Sequence, residues 1–353
     1  LYGLAYLGMG WWGDYSQQAL GAGARVSAEV AAGGGSPNAR PNVWRTTWLL
    51  ILQHPWTGVG FGEFNFAWSL TAFDHRPTAF FDHTHNLALQ LMVELGLPLS
   101  ALVLLLMAAA LVQAGLAALR AQGEAATVSR ACLLLVLLCG LHSQVEYPLW
   151  YAYFLLPTAL AWGLALGTPG RPASDAAAPA RSSVSLAGML AGVVMVAGGV
   201  LALVDYQRVV EIYAPSDNSG PLAARIAHGQ RSPLFAHQAD YAAATNEVPP
   251  ASAALGLMRA THSLLDTRLM IAWARQLALT GQVDAARWLA QRLREFHNPD
   301  SDEFFAPCDK PEGAAKFQCQ PPKAQHPWRE FTTLPLLLPT AAAQPAPASS
   351  ARQ

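Results

Sequence analysis

The stretch that decides the fold is residues 86–119, NLALQLMVELGLPLSALVLLLMAAALVQAGLAAL, in which Glu94 is the only charged residue. A hydrocarbon core about 30 Å thick is crossed by about 20 helical residues, so this stretch is long enough to span a bilayer. Two further stretches, residues 131–167 and 182–204, have the same character, and Glu146 is their only Asp, Glu, Lys or Arg. The sequence therefore predicts an all-α, polytopic membrane helical bundle.

The apolar stretches divide into four predicted transmembrane helices. Residues 131–167 would extend about 55 Å as one helix, which is too long for a single crossing. The polar segment that ends at Pro148 predicts a turn inside this stretch. We expect helices over about 86–118, 129–146, 148–167 and 184–204. Residues 1–12 are apolar and are expected to end another crossing of a longer chain.

Composition and arginine placement define the environment of the chain. Its 353 residues are 52% hydrophobic and 13% charged, and 22 basic and 23 acidic residues nearly cancel. This balance argues against nucleic acid as a partner and favours the membrane. Arginines in the 120–130 loop and in the Pro/Ala-rich linker 168–183 predict that both are cytoplasmic. The large loop 13–85, the turn before Pro148 and residues 205–338 are then expected on the opposite side.

Residues 205–338 predict a soluble helical domain. Within 269–296, apolar residues recur at helical spacing on both sides of Thr280-Gly281-Gln282, which is typical of a tetratricopeptide-like helix pair. Its surface is interpreted either as simply solvated or as a peptide-binding groove. Cys308 and Cys319 are disulfide candidates, because they lie in a polar segment expected outside the cytoplasm. Residues 339–353, rich in Ala, Pro and Ser, are expected to be disordered.

The loop 13–85 contains the candidate catalytic residues. Arg45 lies between two tryptophans and could grip a diphosphate through paired hydrogen bonds. The glycines around Gly60 either cradle a phosphate or form a tight turn. His85 precedes the first long apolar helix, and the positive end of that helix disfavours the imidazolium. We therefore expect a neutral His85 that can accept a proton.

Neighbouring polar residues extend this candidate site. Arg76 either assists Arg45 or pairs with Asp74. His83 is interpreted as a polar residue of the membrane interface or a substrate contact. Asp82, His83 and His85 lack the spacing of zinc sites, so no metal is expected.

Three ionisable residues lie in or beside the apolar stretches. His142 and Glu146 are four residues apart, so they either pair on one helix face or cap the turn. Glu94 either bonds to a neighbouring helix or lines a polar cavity. All three are candidate substrate-binding residues, because ionisable groups within a membrane are usually functional.

These residues carry a family resemblance. His85-Asn86, followed after nine residues by Gly96, resembles the signature of the bacterial O-antigen ligase and polymerase superfamily. Arg45 and the glycines at 58–60 resemble the preceding part of the same loop. The segment 142–150, HSQVEYPLW, and the soluble domain look more like pilin-type O-oligosaccharyltransferases. Ligases usually have Gly, Thr or Tyr where this chain has Leu99, which favours the protein-glycosylating class.

The resemblance implies a GT-C-like bundle in the bacterial inner membrane, with its active site facing the periplasm. It implies en bloc transfer of an oligosaccharide from undecaprenyl diphosphate to Ser or Thr of an exported, pilin-like protein, without metal or other cofactor. His85 would take the acceptor proton, Arg45 would stabilise the leaving diphosphate, and Asn86 would help bind substrate. Transfer to the lipid A core or to a growing O-antigen remains an alternative, as does a non-catalytic membrane scaffold or transporter.

Overall fold

The structure, a computed structural model, describes residues 40–167, 186–217, 219–246, 253–296 and 298–332. All regular secondary structure within these ranges is helical, which confirms the all-α prediction. The expected crossing at residues 1–12, the loop before residue 40, the linker 168–183 and the tail 339–353 lie outside the described residues.

Between residues 40 and 213, the described ranges contain two loop helices and four apolar helices. They are α1 Arg40–Gln53, α2 Phe64–Leu70, α3 Leu87–Arg120, α4 Gly123–His142, α5 Ala152–Gly167 and α6 Leu186–Tyr213. Helices α3, α4 and α6 are long and apolar enough to cross a membrane, whereas α5 is shorter. The observed bounds differ from the expected ones mainly in α4, which ends at His142, and in α6, which continues past residue 204 to Tyr213.

Seven α-helices follow among the described residues of the C-terminal domain. They are α7 Leu222–Gly229, α8 Ala236–Thr245, α9 Ala253–Ala260, α10 Thr267–Leu279, α11 Val283–Arg294, α12 Pro299–Phe305 and α13 Trp328–Phe331. Helices α10 and α11 form the expected pair, and Asp266 caps α10 by accepting a hydrogen bond from the Leu269 N–H at 2.9 Å. Cys308 and Cys319 are joined by a disulfide, with their Cα atoms 5.2 Å apart.

A kink at Gly96 divides α3 into a short arm and a long membrane helix. Gly96 has φ 76° and ψ 168°, outside the helical region. The N–H of Leu97 leaves the helix and donates to the Pro55 carbonyl at 2.7 Å. Pro98 has no N–H to donate. Only glycine fits at the kink, because a Cβ there would lie 2.4 Å from the Trp56 carbonyl oxygen.

Residues 58–62, the glycine-rich loop, replace the helical hydrogen bonds lost at this kink. The N–H groups of Val59 and Gly60 donate to the carbonyls of Val93 and Glu94, at 2.8 and 3.1 Å. Gly58 allows this close approach, because a Cβ there would lie 2.4 Å from the Glu94 carbonyl oxygen. Unpaired backbone groups are costly in an apolar environment, so the loop stabilises the broken helix. The loop is a structural part of the membrane bundle.

The loop and the C-terminal domain share one hydrophobic core. Helix α2 is entirely buried, and its aromatic side chains pack with apolar residues of α10, α11 and α13. Asn65 connects the layers: it donates to the Phe81 carbonyl at 3.1 Å and accepts from the Leu265 N–H at 2.6 Å. The helical domain is therefore packed directly against the segment that leads to His85.

Candidate active site

His85 occupies a strained backbone position held by its neighbours. Its φ of 54° is the only positive value at a non-glycine residue within the described ranges. Thr84, directly before it, is fully buried and accepts a hydrogen bond from Trp44 Nε1 at 3.0 Å. The Thr84 N–H donates to Gln90 Oε1 at 2.8 Å. Such a conformation persists only where surrounding contacts fix it, and it is frequent at functional sites.

Asn86 joins the start of α3 to the turn that follows α4. Its side chain caps α3 by accepting from the Leu89 N–H at 2.9 Å. Its Nδ2 donates to the Gln144 carbonyl at 3.0 Å, and the Leu87 N–H donates to the Ser143 carbonyl at 2.8 Å. These bonds fix the 143–146 turn beside His85, which explains why an amide residue directly follows the histidine.

Glu146 connects His85 to Arg40. The Nδ1 atom of His85 lies 2.7 Å from Glu146 Oε2, and the guanidinium of Arg40 donates to Glu146 Oε1. The His85 side chain is 12% exposed, and its Nε2 has no hydrogen bond to any described residue. One ring nitrogen is thus held by a carboxylate, and the other is available to a substrate.

The charges in this group favour an ionised Glu146 beside a neutral His85. Burial lowers the pKa of His85 below its ordinary value; the hydrogen bond to Glu146 opposes this and the charge of Arg40 adds to it. Burial acts to raise the pKa of Glu146, but the hydrogen bond with His85 and the charge of Arg40 lower it below the ordinary value. At neutral pH His85 can therefore accept a proton, and Glu146 can stabilise the resulting imidazolium.

Phe81 and Tyr147 form an aromatic wall beside the His85 ring. Tyr147 meets it edge-on at 4.8 Å between ring centroids, and Phe81 does so at 5.7 Å. His83 stacks on Tyr147 at 4.5 Å, and its Nδ1 lies 3.2 Å from Asp82 Oδ2. The hydrogen bond with Tyr151 and burial raise the pKa of Tyr147, so its hydroxyl stays protonated. His83 and His85 thus both contact the ring of Tyr147.

Arg45 does not join the group around His85. It is exposed and has no hydrogen bond or ion pair to another residue in the described part of the chain. Arg40 and Trp44, which the sequence analysis missed, are four residues apart and lie on the face of α1 that contacts the site. Arg45 projects about 100° away from Trp44 around the helix. Tyr147 was also missed, although it directly follows Glu146.

Arg76 belongs to the contact with the helical domain. Its Nε lies 2.6 Å from Glu295 Oε2, and its side chain is only 2% exposed. Its guanidinium also donates to the Trp68 carbonyl at 2.8 Å and lies 4.7 Å from the Phe296 ring centroid. The expectation that Arg76 binds substrate or pairs with Asp74 is therefore wrong, because Arg76 is buried among aromatic rings and pairs with Glu295.

Three more expectations are corrected by the contacts. The Gly60 N–H is bonded to the Glu94 carbonyl, so it cannot cradle a phosphate. The Glu94 carboxylate accepts from Gln90 Nε2 at 2.8 Å and from the backbone of Gly62, so it holds the glycine-rich loop and not a neighbouring helix. His142 does not pair with Glu146, because its exposed ring instead faces Phe154 edge-on.

No metal-ligand cluster is found in the described ranges, where no three His, Cys, Asp or Glu side chains are grouped to hold an ion. The site instead consists of one imidazole, its carboxylate partner, and an aromatic wall at the start of a membrane helix. These features define a polytopic helical membrane protein with a histidine–carboxylate pair at the end of an apolar span.

The chain belongs to the family described as virulence factor membrane-bound polymerase, C-terminal, whose family model matches residues 130–308, about half of the chain. The family model described as O-antigen ligase matches residues 4–104, a range that contains His85, Asn86 and Gly96. The family expected from the histidine-asparagine-glycine signature is thus confirmed.

A general O-oligosaccharyltransferase of Acinetobacter baylyi is similar to part of the chain. The two are 30% identical over 125 residues, which are 35% of this chain and 21% of that relative. The similarity therefore spans about a fifth of the relative's length. No solved structure matches the chain.

Proposed function

We propose that the protein is a membrane glycosyltransferase that moves an oligosaccharide en bloc from a polyprenyl-diphosphate carrier to Ser or Thr hydroxyls of an exported, pilin-like protein. The observation that carries this proposal is the His85–Glu146 pair, in which Nδ1 is held at 2.7 Å and Nε2 is available. The pair includes a histidine within the O-antigen ligase match. The similarity to the general O-oligosaccharyltransferase of Acinetobacter baylyi supports transfer of a whole oligosaccharide to a hydroxyl oxygen.

His85 acts as the general base. With its Nδ1–H donated to Glu146, Nε2 carries the lone pair and takes the proton of the acceptor hydroxyl. The acceptor oxygen then forms a bond to the anomeric carbon, while the bond between that carbon and the phosphate oxygen breaks. The electron pair leaves on the polyprenyl diphosphate, and Glu146 stabilises the imidazolium that has formed. A diphosphate is already a good leaving group, so positioning supplies much of the remaining acceleration.

The two arginines of α1 have separate roles in this mechanism. Arg40 is bonded to Glu146, so it positions the carboxylate that orients His85. Arg45 is exposed and without a partner among the described residues, so its guanidinium is available to the donor diphosphate. His83 and Asn86, next to His85, are the proposed contacts to the sugar.

The proposed location is the inner membrane, with the site facing the periplasm. His85 lies just before α3, one of the three helices that are long and apolar enough to cross a membrane. A lipid-linked donor has its diphosphate at this level while its polyprenyl chain stays in the bilayer. The donor can therefore reach Nε2 of His85 without leaving the membrane.

A saccharide acceptor is the second candidate, because the matched families are described as O-antigen ligase and membrane-bound polymerase. In that case the same base would deprotonate a sugar hydroxyl of the lipid A core or of a growing O-antigen. The chemistry at the donor would be unchanged.

The test is transfer by the purified protein, incubated with polyprenyl-diphosphate oligosaccharide and either a Ser/Thr-rich exported protein or lipid A core. We expect a mass increase of the protein acceptor by one whole oligosaccharide. We also expect His85→Ala and Arg45→Ala to abolish transfer while both variants remain in the membrane. Modification of lipid A core alone would favour the second candidate. Donor binding without turnover for any acceptor would favour a scaffold or transporter.

A further inference from the structure

A continuous groove runs between residues 53–72, at the ends of α1 and α2, and the helical domain. It consists of two adjoining cavities of about 280 and 440 Å³, which share Ala72, Trp288 and Gln325 as lining residues. One wall is formed by the ends of α1 and α2, and the other by α11 and by residues 322–329. No residue of this groove takes part in the His85 site.

The Lys and Arg residues that line the groove are Arg292, Lys323 and Arg329, and no Asp or Glu is among its described lining residues. The carboxylates of Asp284 and Glu330 lie nearby and are both paired with His326. Arg292 is 4% exposed, and its one carboxylate partner, Glu295, also pairs with the buried Arg76. Two buried guanidinium groups thus share one carboxylate, which leaves a positive charge beside the groove. The occupant is expected to carry negative charge.

The remaining lining residues suit an extended polypeptide. The side-chain amides of Gln53, Gln291 and Gln325 can each donate to and accept from a main chain. Trp288 and Trp328, which are mostly buried, form the apolar part of the lining between them. Trp328 is held by a 3.1 Å hydrogen bond from its Nε1 to His54 Nε2, so this wall is fixed before any ligand arrives.

The groove lies about 20 Å from the candidate base, a distance that a short extended peptide can span. The first residue of α1, Arg40, belongs to the His85 site, and the last, Gln53, lines the groove. A helix of 14 residues separates them by about 20 Å. About six residues of extended polypeptide cover the same distance.

We propose that this groove is the docking site of the acceptor polypeptide, and that it binds an acidic segment about six residues from the glycosylated hydroxyl. The inference rests on the proposed transfer to a protein acceptor and deepens it. Lys323 and Arg329 contact the acidic side chains, and the glutamines bond to the main chain. Docking holds the hydroxyl near His85 Nε2 without recognition of the residues between.

The test measures binding without donor, so it does not depend on transfer. Two fluorescent Ser-containing peptides are compared that differ only in carrying Asp-Asp or Lys-Lys about six residues from the Ser. Binding to the full chain in lipid nanodiscs is followed by anisotropy at low and high salt. We expect the acidic peptide to bind about tenfold more tightly at low salt, with a smaller preference at high salt.

Charge-reversal variants locate the binding. Lys323→Glu combined with Arg329→Glu is expected to remove or invert the preference between the peptides. Lys310→Glu, an exposed lysine outside the groove, is the matched control and is expected to leave it unchanged. His85→Ala is expected to abolish transfer and retain binding, which separates the two proposals.

Three results would overturn the docking proposal. They are equal binding of both peptides, an equal effect of Lys310→Glu, and charge-dependent binding of an acidic oligosaccharide such as oligogalacturonate in place of the peptide. None of these results bears on whether His85 catalyses transfer.

Discussion

Replacement of Glu146 by glutamine tests how the carboxylate controls His85. In the structure Glu146 Oε2 lies 2.7 Å from His85 Nδ1, while its other oxygen accepts from Arg40. Glu146→Gln keeps the size of the side chain and an oxygen that can accept from Nδ1–H. It removes only the negative charge that faces the imidazolium when His85 takes a proton.

The size of the effect follows from the exposure of Glu146. A hydrogen bond to a charged group contributes about 1.5–3 kcal/mol. The Glu146 side chain is 41% exposed, so solvent screening favours the lower end of that range. A loss of about 1.4 kcal/mol lowers the rate about tenfold. Glu146→Ala also frees the ring to rotate and leaves Arg40 unpaired, so we expect a loss of about 100-fold or more.

The effect of each charge on the pKa of His85 gives the direction in which the pH profile should shift. A general base works while it is neutral, so activity falls as the pH drops through the pKa of His85. Glu146 raises that pKa and Arg40 lowers it. The acidic limb of kcat/KM should therefore move to lower pH in Glu146→Gln and to higher pH in Arg40→Ala.

The assay is the transfer rate across pH for the wild type and both variants. His75→Gln is the control, because His75 is exposed and outside the site. The proposed coupling of His85 to Glu146 would be refuted if the acidic limb shifted in the same direction in both variants. Unchanged pH profiles with normal rates would refute it as well.

Three further predictions concern stability and positioning. Gly96→Ala should destabilise the fold by about 2 kcal/mol or more, since its Cβ would lie 2.4 Å from the Trp56 carbonyl oxygen. Gly115→Ala in the same helix is the control and should not destabilise the fold, because the space beside Gly115 is open. Thermal unfolding of the detergent-purified variants compares the two. Arg76→Ala should cost about 1–3 kcal/mol in the same assay, because it removes the hydrogen bond to the Trp68 carbonyl and the packing of the guanidinium on the Phe296 ring, and an unchanged melting temperature would contradict this. Asn86→Ala should cost about 1 kcal/mol through the lost cap of α3 and should also slow transfer, because the bond to Gln144 that fixes the 143–146 turn is removed; normal transfer rates would exclude that positioning role.

Local features of the molecule could be predicted from the sequence. The apolar stretches determined the membrane helices, and periodicity around Gly281 predicted the α10–α11 pair, because both depend on residues close in the chain. His85 was found as a candidate because a polar segment directly precedes a long apolar helix.

Contacts between distant segments could not be predicted. Arg40 meets Glu146 across 106 residues, and Arg76 meets Glu295 across more than 200. A single sequence gives no distance between such residues. The aromatic neighbours of Arg45 therefore indicated Arg45 as the candidate, and no pattern indicated Arg40. The role of the glycine-rich loop was hidden for the same reason, since Gly60 serves a helix kink more than 30 residues later.

The most direct measurement is the single-turnover rate of oligosaccharide transfer by His85→Ala, with saturating lipid-linked donor and protein acceptor. If the imidazole is the general base, this rate should fall about 100- to 10,000-fold below that of the wild type, while His75→Gln keeps the wild-type rate. A wild-type rate in His85→Ala, with its donor still bound, would contradict a catalytic role for this histidine.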